Sequence, residues 1–332
     1  MLLRCTMDTQ SQIRPVFSVV VPMFNEAEVI GAMHRRLAVV MATLNAPWEV
    51  IYVNDGSRDT TLRAVEMLRQ ADHHIALVNL SRNFGKEIAT TAGLDHARGD
   101  AVIVIDADLQ DPPEVIPQLV DAWHAGYDMV YAQRRLRDGE TWLKRQTAAA
   151  FYRIMRHVGE VHLPPDVGDF RLMSRRVVDA VQQLRERHRF MKGLFTWVGF
   201  PSTAIIYDRE RRGAGSTKWS FWQLWNLAIE GFTSFSVGPL KLATYLGLAV
   251  AVFAVLFGAQ LILRTLIFGN PVAGYPSLMA VILFLGGTQL VTLGIIGEYL
   301  GRIFNETKHR PLYLVERFTP SRSVSVLAEP EP

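Results

Sequence analysis

One cysteine, Cys5, occurs among 332 residues. A single thiol excludes a disulfide framework and a thiolate metal site. The nine histidines are scattered, and His157 and His162 stand five apart with no partner ligands nearby in sequence. They are read as ordinary surface or core histidines. Excess charge is lacking too, since 35 Lys plus Arg against 32 Asp plus Glu leaves +3. With no aromatic–basic recognition motif either, nucleic acid is not expected as a partner. Two nucleotide fingerprints are missing: neither G-x-G-x-x-G nor G-x-x-x-x-G-K-[ST] follows the first apolar run, which removes the dinucleotide and Walker readings. The N-terminal MLLRCTMDTQSQIR has no apolar stretch of about 7–15 residues, so no secretory signal is expected and the main domain should stay in the cytoplasm.

Two long runs lack charge altogether. Leu242–Leu263 and Pro276–Gly297 each hold 22 residues without Asp, Glu, Lys or Arg. At about 1.5 Å per residue, either is long enough to cross a hydrocarbon core of roughly 30 Å. The alternative is a pair of buried core helices; two adjacent runs near the C-terminus favour membrane spans. The connector Arg264–Tyr275 carries one basic residue, whereas Lys241 precedes the first run and Arg302, Lys308, Arg310 and Arg317 follow the second. The positive-inside rule then places both flanks in the cytoplasm. Gly297-x-x-x-Gly301 suits close helix packing, and Glu298 and Arg302, four apart, suit an ion pair. Just upstream, TKWSFWQLWNLAIEGFTSFS (Thr217–Ser236) crowds Trp219, Phe221, Trp222, Trp225, Phe232 and Phe235 into a stretch with few charges. Such a belt predicts a helix lying in the membrane surface. The tail after Phe318 has a disorder-prone composition.

The rest of the chain alternates short apolar runs with helical stretches. Strands are expected at Phe17–Pro22, Glu49–Asn54, Ile75–Leu80, Ala101–Ile105 and Met129–Ala132. Helices are expected at Glu26–Leu44, Thr60–Gln70, Lys86–Ala97 and Glu114–Ala125. This βαβα pattern predicts an α/β fold with a largely parallel, Rossmann-like sheet whose ligands bind beyond the carboxyl ends of the strands. Asn25 and Glu28 suggest a capping box. The strand-end residues carry the candidates: Pro22, Asn25 and Glu26; Asp55; Lys86; Asp106 and Asp108; Arg134. In VIVIDADLQD the first two acids are two apart on a segment taken as extended, hence on one face. Paired carboxylates there suit Mg²⁺ or Mn²⁺ bound together with substrate phosphate. Asp111, before Pro112-Pro113, is expected to cap the next helix.

These segments, VVPMFNEAEVI, VNDGSRDTT, LSRNFGKE and DADLQDPPEVIP in that order, resemble the family 2 inverting glycosyltransferases of the GT-A fold. VGDFRLMSRRVV, RFMKGLFTWVG, ERRGAGSTKW, LWNLAIEGFTSFS and LGGTQLVTLGIIGEYLGR resemble the polyprenyl-phosphate branch of that family, the group of the bactoprenol glucosyltransferases; dolichol-phosphate mannose synthase is a relative. The resemblance spans nearly all of Phe17–Arg317. It implies transfer of a single glucose from UDP-glucose to undecaprenyl phosphate at the inner membrane of a bacterium, by a homo-oligomer. Absence of a Q-x-x-R-W motif fits one transfer rather than polymerisation. By motif, Pro22, Asn25, Glu26, Asp55, Lys86 and Asp106 would bind the nucleotide, and Asp106, Asp108 and Gln110 the metal. Asp108, Arg134, Asp169, Arg212 and Lys218 would serve the reaction. Arg145, Arg212 and Lys218 would meet the acceptor phosphate. Gly213 departs from the bulkier residue usual before the Ala-Gly of that loop. The implied organisation is a short N-terminal arm (1–15), a cytoplasmic catalytic domain (16–216), a juxtamembrane helix (217–238), two membrane helices (239–302) and a cytoplasmic tail (303–332). Another donor sugar (GlcNAc, galactose, mannose or aminoarabinose) and a catalytically silent membrane scaffold are the alternatives.

Overall fold

A computed structural model of the protein describes residues 15–135, 167–187, 189–208, 238–268 and 274–322. The chain divides into two compact units, one holding residues 1–149, 163–219 and 311–332, the other residues 150–162 and 220–310. The juxtamembrane aromatic stretch and the loop with Gly213 lie outside the described residues, as do Arg145, Arg212 and Lys218.

The first unit is built on one eight-stranded sheet in the order β7-β5-β6-β4-β1-β2-β3-β8. The strands are β1 (Phe17–Met23), β2 (Trp48–Asn54), β3 (Ile75–Leu80), β4 (Ala101–Val104), β5 (Met129–Arg134), β6 (Val167–Ser174), β7 (Ser202–Tyr207) and β8 (Val315–Thr319). Strands β1 to β4 are mutually parallel. Every residue of β1, β2, β3 and β4 is buried, as expected of β-branched and apolar runs covered on both faces. Helices α1 (Ile30–Thr43), α2 (Thr61–Ala71), α3 (Lys86–His96) and α4 (Ile116–His124) supply the cover. Helix α1 buries Ile30, Met33, His34, Leu37, Val40 and Met41, a spacing of three and four that makes one apolar stripe. Helix α3 lies so close to the sheet that a Cβ on Gly93 would fall 2.2 Å from Val20 Cγ1.

The five expected strands and four expected helices are present, with four local differences. Helix α1 starts at Ile30, not Glu26, and no side chain caps it. Asn25 is left-handed (φ 55°) and its Oδ1 accepts the Arg58 N–H, so the capping box does not form. Strand β4 stops at Val104, and Asp108 lies in a turn that includes Leu109 at φ 61°. The alternation used to put Asp106 and Asp108 on one face therefore does not apply. Asp111 caps nothing: the turn at Pro113–Val115 has no side-chain cap, and Asp111 is buried.

Strands β6, β7 and β8 escape the βα pattern. Strand β6 inserts antiparallel between β4 and β5, β7 runs parallel to β5, and β8 pairs antiparallel with β3. Helices α5 (Arg175–Gln183) and α6 (Met191–Trp197) lie between β6 and β7 in sequence. The stretch after Phe318 continues to a buried Ser321, and the Arg322 N–H bonds the His73 carbonyl; residues 323–332 lie outside the described residues.

The second unit contains two long helices that pack on each other, α7 (Gly238–Phe268, 31 residues) and α8 (Tyr275–Thr307, 33 residues). Of the two expected spans, one is found among the described residues: Ala243–Gln260 is long and apolar enough to cross a membrane, with mean hydropathy 1.8 and 6% of it buried. That exposure is opposite to a soluble core helix. The second run, Pro276–Gly297, falls inside α8. Side chains at positions 276, 277, 279, 280 and 283 are outside the described set, and no second such span is found among the rest. Among the described residues, no atom lies within 4 Å of a Cβ placed on Gly297 or Gly301. Arg302 and Glu298 do pair, at 3.0 Å.

Candidate functional site

Because β1 to β4 are parallel, their carboxyl-end loops gather at one edge of the sheet. Two of these loops are laced together. The Asn25 N–H donates to Ser57 Oγ (3.0 Å), the Glu26 N–H to Thr61 Oγ1 (2.8 Å) and the Arg58 N–H to Asn25 Oδ1 (2.8 Å). Asp55 ties in a third. It is buried, and its two oxygens accept the N–H groups of Phe84 (2.7 Å) and Gly85 (2.9 Å). Burial pushes the Asp55 carboxyl up, and those two N–H groups oppose the shift. At Gly56 (φ 65°), a Cβ would lie 2.5 Å from the Arg82 and Asn83 backbone, so glycine alone fits.

Antiparallel insertion of β6 brings a second set of charges to the same edge. Val104 pairs with Arg171, so the start of β6 runs on beyond the end of β4. Asp169 and Asp106 consequently share one cation. Lys86 Nζ, from the first turn of α3, is 2.7 Å from Asp106 Oδ1 and 2.5 Å from Asp169 Oδ2. Burial alone would lower the Lys86 ammonium, but Asp106 and Asp169 override it and hold it protonated. Burial also works against ionisation of Asp169, yet Lys86 and Lys192 keep its carboxyl well below the usual carboxylate range. Burial raises Asp106 against the pull of Lys86.

A third cluster sits where β5 and β7 end in register, Arg134 opposite Tyr207. The Tyr207 hydroxyl donates to Asp111 Oδ1, Arg134 Nε donates to the Tyr207 oxygen (3.3 Å), and an Arg134 nitrogen lies 3.6 Å from Asp111. Gly168 leaves room for this arginine: a Cβ there would be 3.1 Å from the guanidinium. Asp108 is half-buried and its Oδ1 accepts the Gln110 N–H (3.1 Å), with Gln110 itself buried.

The structure thus joins Lys86, Asp106 and Asp169 directly, and joins Asn25 and Glu26 to the loop after Asp55. It adds residues that strand-end reasoning missed: Asp111, Tyr207, Arg171, Glu87 and Lys192. Arg171 is buried, its guanidinium 4.1 Å over the Phe195 ring and donating to the Gly168 carbonyl (2.9 Å). The only sequence signal was the D-x-R spacing of Asp169 and Arg171 on one face of β6. Glu87 accepts the Met191 N–H (3.3 Å), and burial, followed by Asp169, pushes its carboxyl up to about 7.

A raised carboxyl gives a definite pH signature. The folded chain holds this proton more tightly than the unfolded one, so the stability it contributes is present at low pH and is lost as pH rises through about 7. Glu87→Gln keeps an acceptor for Met191 and removes the titration. The melting temperature of the variant minus that of wild type should therefore grow from pH 5 to pH 8. The same difference at both pH values would reject this assignment.

For a divalent ion, the fit is one of hard oxygen donors. Among the described residues, Asp111 Oδ2 and Asp169 Oδ1 are buried with no hydrogen-bond partner, and both carboxylates act electrostatically on Asp106. A separate group, Asp72, His73 and His74, has ligand atoms within 4.8 Å of one another, but it precedes β3 at the opposite edge of the sheet. Its carboxylate is already engaged: Asp72 accepts the His74 N–H and contacts both the His74 and His34 rings. It forms a turn network remote from the carboxyl-end loops.

The chain matches known proteins over most of its length. The glycosyl transferase family 2 profile matches residues 18–182, and the GtrB C-terminal hairpin profile matches residues 238–303. An uncharacterized glycosyltransferase of Synechocystis sp. is 55% identical over 90% of this chain and 94% of its own. A bactoprenol glucosyl transferase of Shigella phage SfV is 50% identical over 90% of this chain and 97% of its own. A prophage bactoprenol glucosyl transferase homolog of Escherichia coli K12 is 49% identical over 90% of this chain and 98% of its own. A family 2 sheet carrying its charges at the carboxyl edge, followed by the hairpin, makes this chain a glycosyltransferase that belongs to glycosyl transferase family 2.

Proposed function

We propose that the protein transfers one glucose from UDP-glucose to undecaprenyl phosphate at the cytoplasmic face of a bacterial inner membrane, with inversion at the anomeric carbon. The observation that carries this reading is the 49–50% identity, over 90% of the chain, to proteins named for bactoprenol glucosyl transfer. The charged edge of the sheet supports it chemically.

In the reaction an acceptor phosphate oxygen attacks C1 of the sugar, the bond from C1 to the diphosphate breaks, and UDP leaves with the electron pair. A phosphate monoester has a second pKa near about 6, so the acceptor is mostly dianionic at pH 7. It therefore needs no general base. The charges that need managing belong to the two phosphates. Asn25, Glu26 and Asp55, with Pro22, stand where the uridine side of the donor would bind. Lys86 and Arg134 bring cations to the same edge, and Asp106 and Asp169 fix Lys86 in place. Asp106, Asp108 and Gln110 would hold Mg²⁺ or Mn²⁺, which when bound supplies Lewis-acid neutralisation of the leaving diphosphate. Arg145, Arg212 and Lys218 are the assigned acceptor-phosphate residues, since guanidinium groups grip phosphate in bidentate fashion.

In this reading residues 16–216 are catalytic, 217–238 lie in the membrane surface and 239–302 span it twice. The exposed apolar surface of Ala243–Gln260 supports an anchor of this kind. The test is a panel of nucleotide sugars offered to the purified protein with undecaprenyl phosphate, read by the mass of the lipid product. UDP-glucose should give a single-hexose lipid and free UDP. A faster reaction with another sugar nucleotide would reassign the donor, and no lipid product with any donor would overturn the reading.

A further inference from the structure

Strand β8 reaches the donor side of the site through a chain of side chains. Glu316 lies where the β3–β8 register shifts, between Asn79 and Leu80. It accepts a hydrogen bond from Asn79 Nδ2 (2.7 Å). Asn79 Oδ1 in turn accepts from Asn54 Nδ2 (2.7 Å), its register partner on β2. Asn54 Oδ1 accepts the Ser57 N–H (3.3 Å), and Ser57 Oγ accepts the Asn25 N–H (3.0 Å). Both amides are buried.

The relay has a direction. A carboxylate only accepts, so Asn79 must turn its NH₂ to Glu316 and its carbonyl to Asn54. Asn54 must then turn its NH₂ to Asn79 and its carbonyl to Ser57. A donor-only backbone N–H at Ser57 and an acceptor-only carboxylate at Glu316 thus agree on one orientation of the two buried amides, and Glu316 supplies the acceptor that the Asn79 NH₂ would otherwise lack. At the other end is Asn25, held at φ 55°, a backbone state costly for a non-glycine residue unless its surroundings fix it.

We infer that Glu316 is a positioning residue for the donor pocket: through Asn79 and Asn54 it sets the Ser57 and Asn25 loops in the shape that receives the uridine diphosphate. This rests on the reading of Asn25 as a donor-pocket residue. Strand β8 follows α8 after only residues 308–314. A chain cut before Gly238 therefore loses this acceptor along with the helices.

The experiment uses full-length protein in lipid nanodiscs. UDP binding is measured by calorimetry, and kinetics with UDP-glucose and undecaprenyl phosphate. Glu316→Ala should weaken UDP binding and raise the KM for UDP-glucose about tenfold, the scale of one charge-assisted hydrogen bond. Its kcat and acceptor KM should stay within about twofold, a split that simple loss of folded protein does not give. Glu316→Gln still offers an acceptor oxygen and should stay within about threefold. Asn79→Asp sets two carboxylates face to face and should cost at least as much as Glu316→Ala. Adding Glu316→Gln to Asn79→Asp restores a donor opposite an acceptor and leaves Asn54 its partner, so binding should recover to within about threefold of wild type. Unchanged UDP affinity in both Glu316→Ala and Asn79→Asp overturns the inference. So does a loss shared equally by kcat and both KM values, or no recovery in the double variant. Failure of wild type to bind UDP would overturn the donor reading, and this inference with it.

Discussion

Asp106→Asn is expected to lower turnover by about 10²–10³-fold while leaving the melting temperature nearly unchanged. The size follows from losing the carboxylate that fixes Lys86 and would hold the divalent ion, the positive charges that face the leaving diphosphate, an effect of the kind seen when a single preorganised stabiliser is lost. The fold should survive because Lys86 keeps a second anionic partner, Asp169, at 2.5 Å. Asparagine matches the shape of aspartate and still offers an oxygen to Lys86. The loss therefore comes from charge, not packing. If Asp106 helps hold a divalent ion, the variant should also need more Mn²⁺ to reach its own maximum. UDP release assayed across a Mn²⁺ series, with circular dichroism melts alongside, reads both quantities. Turnover near wild type at every metal concentration would remove Asp106 from the chemistry.

Much of this edge was legible in the sequence, for a reason that also marks where legibility stopped. Strands β1 to β4 are local, continuous apolar runs, and polar residues that end them must gather at one edge of a parallel sheet. That located Asn25, Asp55, Lys86 and Asp106 just beyond the carboxyl ends of β1 to β4 without any knowledge of contacts. Residues brought in by antiparallel or edge strands carry no such local signal. Asp169 meets Lys86 only because β6 inserts between β4 and β5, a pairing of sequence-distant strands that no periodicity announces. Tyr207 and Glu316 arrive in the same way, from β7 and β8. The D-x-D spacing failed at a finer scale. Its geometry assumed an extended strand through Asp108, and the chain turns instead after Val104. Asp111 failed through a competing partner, since an acid ahead of a helix is read as a cap unless a distant hydroxyl and guanidinium claim it.

That competition over Asp111 makes the second large prediction. Asp111→Ser should destabilise the protein by about 3 kcal/mol, although serine is among the best helix-capping residues. Were the acid a cap, serine would take its place at a cost of a few tenths of a kcal/mol. In the structure Asp111 is 1% exposed, accepts the Tyr207 hydroxyl and faces Arg134 at 3.6 Å. Burial and the adjacent carboxylate both raise the Tyr207 phenol, so it remains a donor throughout the working pH range. Breaking one side of a buried ion pair costs about 3–5 kcal/mol, and an orphaned hydroxyl adds about 1–3 kcal/mol. Arg134 is partly solvated, with 30% of its side chain exposed, which holds the total near the lower end. Asp111→Asn keeps an acceptor for Tyr207 and should recover about half of the loss. Tyr207→Phe removes the hydroxyl donor, and combined with Asp111→Ser it should cost clearly less than the two single changes added together. Chemical denaturation of wild type and these four variants decides the matter. A loss under about 0.5 kcal/mol for Asp111→Ser would return this residue to the role of a cap. Non-additivity with Tyr207→Phe would fix it as the buried anchor that holds Arg134 at the carboxyl edge.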